Sequence, residues 1–367
     1  MKKVLHVTYD MRIGGTEMVI RNIIASNNHE EFQMSVYCIE GTLGPWGAAL
    51  LDAGIQVTTF QRKNGFDVKL VKHLRSHVKK NNIDIVHCHQ YTPWVYGTLA
   101  SILTRAKVIF TEHGRFYPDF STWKRKLVNP LLVSLTSEIT AISNATKDAL
   151  VEYEFIPRNK VGLIYNGIKP LEIDHQRVDS LRKKLGIPPT SKVLGTIARF
   201  DPIKNHTMMI EAVAKVIAKH PNTVLIMVGD GEERANIELA IEQFGLANNV
   251  ILTGYQSNPT DYLGLMDIFL LSSLSEGTSM TLLEAMSLEI PCVVTDAGGN
   301  AEIIQNGING LVSKNDDIID FSLSIMTLLN QGDLTEYRRN ARQLFNSKFS
   351  NKIMSNAYSE LYGELTW

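Results

Sequence analysis

Cysteine is scarce: Cys38, Cys88 and Cys292 are the only three in 367 residues, far apart and odd in number. No Cys-x-x-Cys pair occurs, so the sequence offers neither a disulfide framework nor a zinc site of that kind, and it fits a reducing compartment. Long apolar runs are lacking too. None approaches the roughly 20 residues of a membrane-spanning helix. The short run 4–7, broken by His6 and ended by Thr8-Tyr9-Asp10, reads as a first buried strand rather than a signal peptide. Nor is there an excess of either charge. Lys plus Arg is 37 against Asp plus Glu at 38, which excludes the global field expected of a nucleic-acid binder. With 44% hydrophobic and 20% charged residues, the expectation is a globular, cytoplasmic protein large enough for two cores.

What is present is alternation. Short β-branched runs at 3–7, 33–38, 55–59, 83–87, 107–111, 139–142 and 161–165 predict strands, as do 193–197, 223–228, 250–253, 268–271 and 292–295. Between them, helical period marks 17–25, 68–80, 146–153, 208–219 and 233–244. Near-continuous Val/Ile/Leu strands spaced by helices predict parallel sheets covered on both faces. Twelve strands are too many for one ordinary sheet, so two domains are expected. The polar stretch 169–187 interrupts the rhythm and gives the boundary. The fold class is then α/β, two doubly wound Rossmann-like domains facing across a cleft. An N-terminal domain spans 1–170, a linker 171–187, a C-terminal domain 188–345, and 346–367 is helical without a strand. Ligands in such sheets gather beyond the carboxyl ends of the strands.

Two constellations carry chemistry. In Ser275-Glu276-Gly277-Thr278-Ser279-Met280-Thr281-Leu282-Leu283-Glu284, a helix must begin, because Met280, Leu283 and Met286 recur at helical spacing. Gly277 lets the backbone approach a ligand, and the N–H groups from Thr278 to Met280 point the positive helix end at an anion. Glu276 in the loop and Glu284 in the helix can accept from hydroxyls, the latter from a vicinal diol. A pyrophosphate between two hydroxyl-rich groups, a nucleotide sugar, fits that set. A plainer reading makes Thr281 and Glu284 a capping box. The second segment is Arg199-Phe200-Asp201-Pro202-Ile203-Lys204-Asn205, after the strand 193–197. Arg199 and Lys204 flank one turn and could stabilise a departing diphosphate without metal. The plainer reading here is a solvated loop in which Asp201 pairs Lys204.

These residues resemble the retaining glycosyltransferases of family 4, which have the GT-B fold. Arg199 to Asn205 resembles the family's Arg-x4-Lys-Asn element, and Glu276-x7-Glu284 its paired glutamates. Matching segments follow in order along the chain: Gly14-Gly15-Thr16-Glu17, His113-Gly114, Asn166-Gly167-Ile168, Gly229-Asp230-Gly231, Gly298-Gly299-Asn300-Ala301-Glu302 and Asn306-Gly307-Ile308-Asn309-Gly310. Ala198 stands where the family usually has Gly, and Thr278-Ser279 replaces its usual Phe-Pro or Phe-Gly, which leaves donor identity open.

The resemblance implies a metal-independent hexosyltransferase without cofactor. In it Glu276 contacts the donor sugar, Glu284 holds the ribose, and Arg199 and Lys204 bind the diphosphate. It also implies that His113 approaches the donor sugar, that the loop of Gly14, Gly15 and Thr16 meets acceptor and donor phosphates, and that the last helix returns to the N-terminal domain. The catalytic candidates are thus His113, Glu276, Arg199 and Lys204. The donor set is Gly15, Arg199, Lys204, Gly277, Thr278, Ser279, Met280 and Glu284, with Gly229 and Gly231 in a turn near the base.

For the acceptor the candidates are Gly14, Thr16, His89 and Arg115, the last with Phe116 and Tyr117 beside it. His87-Cys88-His89 offers two histidines on one strand face, but no third ligand lies nearby in sequence, so no metal is expected. There is no Asp-x-Asp motif of the kind metal-dependent glycosyltransferases use. Two basic stretches, 69–80 and Trp123-Lys124-Arg125-Lys126-Leu127, are either solvated helix faces or peripheral contacts with the inner face of an anionic membrane.

The function expected is transfer from a nucleoside-diphosphate sugar, with UDP favoured by family frequency. The acceptor is a hydroxyl of a glycan, glycolipid or small molecule, in surface polysaccharide or glycolipid assembly. The rivals are a nucleotide-sugar epimerase on the same fold and a non-catalytic nucleotide-sugar-binding protein.

Overall fold

A computed structural model of the chain describes residues 1–114 and 120–365, so Arg115, Phe116 and Tyr117 lie outside the described residues. The chain forms two units, Met1–Lys169 with Ser350–Trp367, and Pro170–Phe349. In the first, β1 (Lys2–Thr8), β2 (Phe32–Cys38), β3 (Gln56–Thr59), β4 (Ile85–His89), β5 (Lys107–Glu112), β6 (Glu138–Ala141) and β7 (Val161–Leu163) form one sheet in the order β3-β2-β1-β4-β5-β6-β7. In the second, β8 (Lys192–Ile197), β9 (Thr223–Val228), β10 (Val250–Gly254), β11 (Ile268–Leu271), β12 (Cys292–Thr295) and β13 (Gly310–Ser313) run in the order β10-β9-β8-β11-β12-β13. Both sheets are parallel, and a helix follows most strands. Strand order reverses between β1 and β4 and again between β8 and β11. A crevice opens at such a reversal because the crossovers on its two sides lie on opposite faces.

Burial explains the near-continuous apolar strands. Every residue of β4, β11 and β12 is buried, so both faces must be compatible with a core. Trp94 stacks on Phe110 with ring centroids 4.3 Å apart in the first core, and Phe200, Phe269 and Phe321 are sealed in the second.

Three departures from the sequence expectation matter most. β4 begins at Ile85 rather than at residue 83, because Ile83 N–H bonds back to Val78 O and Asp84 accepts from Lys3 N. That shift puts both His87 and His89 inside the strand. β13 escapes the pattern, being four residues long and opening on Gly310. The expected linker 171–187 is corrected: it contains the helix His175–Lys184, capped by Asp174, and belongs to the second unit. That helix buries only Val178, so its composition looks like a linker's.

The Asn166-Gly167-Ile168 motif marks where the chain re-enters the first unit. Ile168 pairs with Ser350, Asn351 N–H bonds to Ile168 O at 2.8 Å, and a Cβ on Gly167 would collide with the Ser350 carbonyl. The helix Asn351–Glu364 that follows buries Met354, Ser355, Tyr358 and Tyr362 in that unit.

Candidate active site

Within the second unit, the segments after β8 and β11 meet at the reversal of strand order. Phe200 is fully buried and anchors the first loop, which then makes a short 3-10 turn, Pro202–Lys204, ending on left-handed Asn205. Ser272 Oγ donates to Lys204 O at 2.8 Å, and Leu274 N–H to Ile203 O at 2.8 Å, so the two loops are stitched by backbone as well as side chains.

The stitching brings the two sequence constellations together. Lys204 Nζ lies 2.6 Å from Glu276 Oε1, and Ser273 Oγ donates to the same oxygen at 2.6 Å. Asp201 does not pair Lys204. It accepts from Arg199 Nε and Nη2 at 2.8 and 2.6 Å, which leaves Arg199 Nη1 toward solvent on a side chain that is 78% exposed. The capping-box reading also fails, since the helix Met280–Ser287 is capped by Ser279, whose hydroxyl accepts from Leu282 N. Glu284 is therefore free of a capping role. Burial pushes its carboxyl up to about 7, and Oε2 has no hydrogen-bond partner among the described residues. A buried polar atom without a partner is costly unless a ligand supplies one.

The remaining candidates divide by what their side chains can do. Ser279 is spent on its cap and Met280 packs inward, so only their backbone faces the loop. A Cβ on Gly229 or Gly231 would strike the carbonyl of Ala198 or Phe200, and Phe200 N–H bonds to Asp230 O at 2.9 Å. These glycines are thus required by close packing under the Arg199 turn. Ser273 was not legible as a site residue, although a Ser-Ser pair directly after an apolar strand was a signal.

In the first unit, Gly14 precedes the helix Gly15–Ala25 without any side-chain cap, and Thr16 is buried. Glu17, in the first turn, is pushed up to about 7, chiefly by burial. His113 follows β5, with its backbone N–H on Glu112 Oε1 at 3.0 Å. His89, expected to line the acceptor side, is instead fully buried with both ring nitrogens occupied, by His6 at 2.9 Å and His113 at 2.8 Å. The fold also brings a third histidine to His87 and His89: His6 of β1, in register with His87, so that ligand atoms of all three lie within 4.8 Å. Both nitrogens of His87 already face hydroxyls, Thr111 Oγ1 and Tyr362 OH, each at 2.7 Å.

Residues 13–170 match the family described as Glycosyltransferase Family 4, and residues 178–344 the one described as Glycosyl transferases group 1. The Escherichia coli UDP-Gal:alpha-D-GlcNAc-diphosphoundecaprenol alpha-1,3-galactosyltransferase is 26% identical over 358 residues, 93% of this chain and 91% of that protein. A solved glycosyltransferase from Rickettsia africae ESF-5 superposes with a TM-score of 0.88 at 22% identity, over 99% of this chain and 98% of that one. Anabaena Alr3699/HepE, solved in complex with UDP and glucose, gives 0.86 at 22% identity over 99% and 100%. Two parallel-sheet Rossmann-like units of this kind are the GT-B fold of glycosyltransferases. The chain belongs to the family 4 type of these enzymes, its two halves each matching one of the family's domains.

Proposed function

We propose that this glycosyltransferase moves a hexose from a UDP-sugar to an acceptor hydroxyl with retention and without metal, in polysaccharide or glycolipid assembly. The observation that carries this reading is the 2.6 Å contact between Lys204 and Glu276, residues 72 apart in sequence, at the reversal of strand order. On donor binding the Lys204 ammonium shares itself between Glu276 and the diphosphate, and Arg199 Nη1 adds a second charge-assisted bond. Both cations act most strongly as the leaving group gathers charge, which lowers the barrier rather than merely tightening binding. Glu276 orients the sugar through its hydroxyls. Glu284, with its unpaired oxygen, takes the ribose diol. The UDP donor is favoured by the relatives: the E. coli protein uses UDP-Gal on a lipid diphosphate, and the Anabaena structure holds UDP and glucose.

The test is UDP release from UDP-glucose, UDP-galactose and UDP-N-acetylglucosamine, with GDP- and ADP-sugars alongside, with and without a lipid-linked acceptor extract and in EDTA. Acceptor-dependent, EDTA-resistant release with the anomeric configuration kept in the product is expected. Conversion of donor without acceptor would favour the epimerase, and donor binding without any release the binding protein.

A lipid-linked acceptor gives meaning to one surface of the first unit. On the helix Trp123–Ser134, Trp123, Leu127 and Leu131 recur every four residues and are 70%, 68% and 60% exposed. Lys124 and Lys126 are exposed beside them. Side chains four apart share a helix face, so this is an apolar stripe flanked by positive charge, suited to an anionic bilayer. The other basic stretch, on the helix Val68–Lys80, instead buries its apolar side and presents a solvated face. Among the described residues no helix is long and apolar enough to cross a membrane. The full chain is expected to sediment with phosphatidylglycerol vesicles at low salt, and Leu127→Ser with Leu131→Ser to stay in the supernatant. Wild-type protein that stays in solution at low salt would end the idea.

A further inference from the structure

The first unit contains a line of three histidines, of which His6 and His89 have no functional role above. His6 Nδ1 lies 2.9 Å from His89 Nε2, and His89 Nδ1 lies 2.8 Å from His113 Nε2. The line starts inside the sheet on β1, passes through the last residue of β4, and ends just past β5. Its two outer nitrogens, His6 Nε2 and His113 Nδ1, have no hydrogen-bond partner among the described residues. We infer that His6 and His89 are positioning residues that fix the tautomer of His113, with its proton on Nδ1.

The argument is one of proton counting. Burial pushes His6 and His113 down to about 3 and His89 well below its ordinary value, so each ring is neutral near pH 7 and carries one proton. A neutral ring has one donor nitrogen and one acceptor nitrogen. Each of the two ring-to-ring contacts needs one of each. The three tautomers are therefore locked together, and only two arrangements satisfy both contacts. In one, all three Nδ1 atoms carry the proton, and the line runs from His6 as donor to His113. In the other, all three Nε2 atoms carry it and the line runs backward.

The ends decide between them. The backward arrangement leaves an N–H at His6 Nε2, on a residue with no exposed surface and no acceptor in reach. Orphaned buried N–H groups are rarer than under-satisfied acceptors. The forward arrangement leaves only a lone pair there and puts the N–H on His113 Nδ1; that atom is buried and unpartnered too, but its residue, unlike His6, is partly exposed and stands at the carboxyl end of a strand, where ligands bind. His87 stands beside the line, its ring centroid 4.1 Å from that of His89, but its nitrogens face Thr111 and Tyr362 and do not enter the relay.

The role of this N–H in transfer rests on the proposed transferase function and on the approach of His113 to the donor sugar that the family resemblance implies, whereas the tautomer does not. The full chain labelled with 15N-histidine is therefore examined by long-range 1H–15N correlation, with His113→Gln to assign the ring. His113 is expected to carry its proton on Nδ1. His6→Leu should convert that signal to a mixture of tautomers and lower kcat/KM for the donor about tenfold, the size of one hydrogen bond. His6→Asn, whose amide N–H stands near the place of Nδ1, should restore both. A proton on His113 Nε2 in the wild type, or an unchanged signal in a folded His6→Leu, would overturn the inference. So would stoichiometric zinc that co-purifies and is lost with His6→Leu, since His6, His87 and His89 would then be ligands. A tautomer that shifts while the transfer rate stays constant supports the positioning and removes only the donor contact of His113.

Discussion

Lys204→Ala is expected to lower kcat/KM for UDP release about a hundred- to a thousandfold, the range seen when one preorganised donor to a developing charge is removed. The size follows from how the ammonium is held. Its side chain is 21% exposed and its partner carboxylate 10%, so the pair sits where water screens it little. An exposed surface ion pair would be worth far less. Arg199→Ala should cost less than Lys204→Ala, because its guanidinium is mostly in solvent and Asp201 holds two of its nitrogens on one side. Glu276→Gln separates the roles within the pair. It keeps the volume and one acceptor oxygen but removes the charge that positions Lys204, so turnover should fall while UDP itself still binds. Melting curves on each variant keep a folding defect apart from a catalytic one. Full transfer rates in both Lys204→Ala and Glu276→Gln at donor concentrations below KM would remove this site from the reaction.

The two halves of that pair were legible in the sequence for a simple reason. Each sits within a few residues of the carboxyl end of an apolar strand, and the period of the strand alone marks where the chain must leave the sheet. What the residues could not disclose was which partner each charge takes. Asp201 is near both cations in sequence, and only the 3-10 turn at Pro202–Lys204 turns Lys204 away from it and toward Glu276.

The histidine line was hidden by a longer-range fact. His6 interrupts an apolar strand, His89 ends another, and nothing local says that β1 and β4 are neighbours in parallel register, His6 opposite His87. Sheet order is a property of crossovers, not of any one strand. The linker failed for the opposite reason: a helix that buries one residue has no apolar period to read.

Gly298→Ala should be a severely damaging single-methyl change at the glutamate loop, in stability and rate together. Gly298 has φ +54°, and its backbone lies against Glu276: Gly299 N–H bonds to Glu276 O at 2.9 Å. A Cβ there would fall inside van der Waals contact with that carbonyl oxygen and 3.0 Å from its carbon. The obstacle is backbone, so no side-chain rotation relieves it. Left-handed strain costs roughly 1–2 kcal/mol and overpacking about 1–3 kcal/mol more. In a domain of this size the sum corresponds to a fall in Tm on the order of 10 °C. The displaced segment is the one that presents Glu276 to Lys204, so survivors at 25 °C should also lose about tenfold or more in kcat/KM, since small misplacements of reacting groups cost at least that much.

Gly307→Ala supplies the control. Gly307 also has a left-handed φ, +79°, but nothing lies within 4 Å of its missing Cβ. It should pay the conformational cost alone, a few degrees at most, and keep its transfer rate. If the two variants melt together and turn over alike, the close approach of Gly298 to Glu276 is not what holds the glutamate loop, and the placement of Glu276 must rest on Lys204 and Ser273 instead.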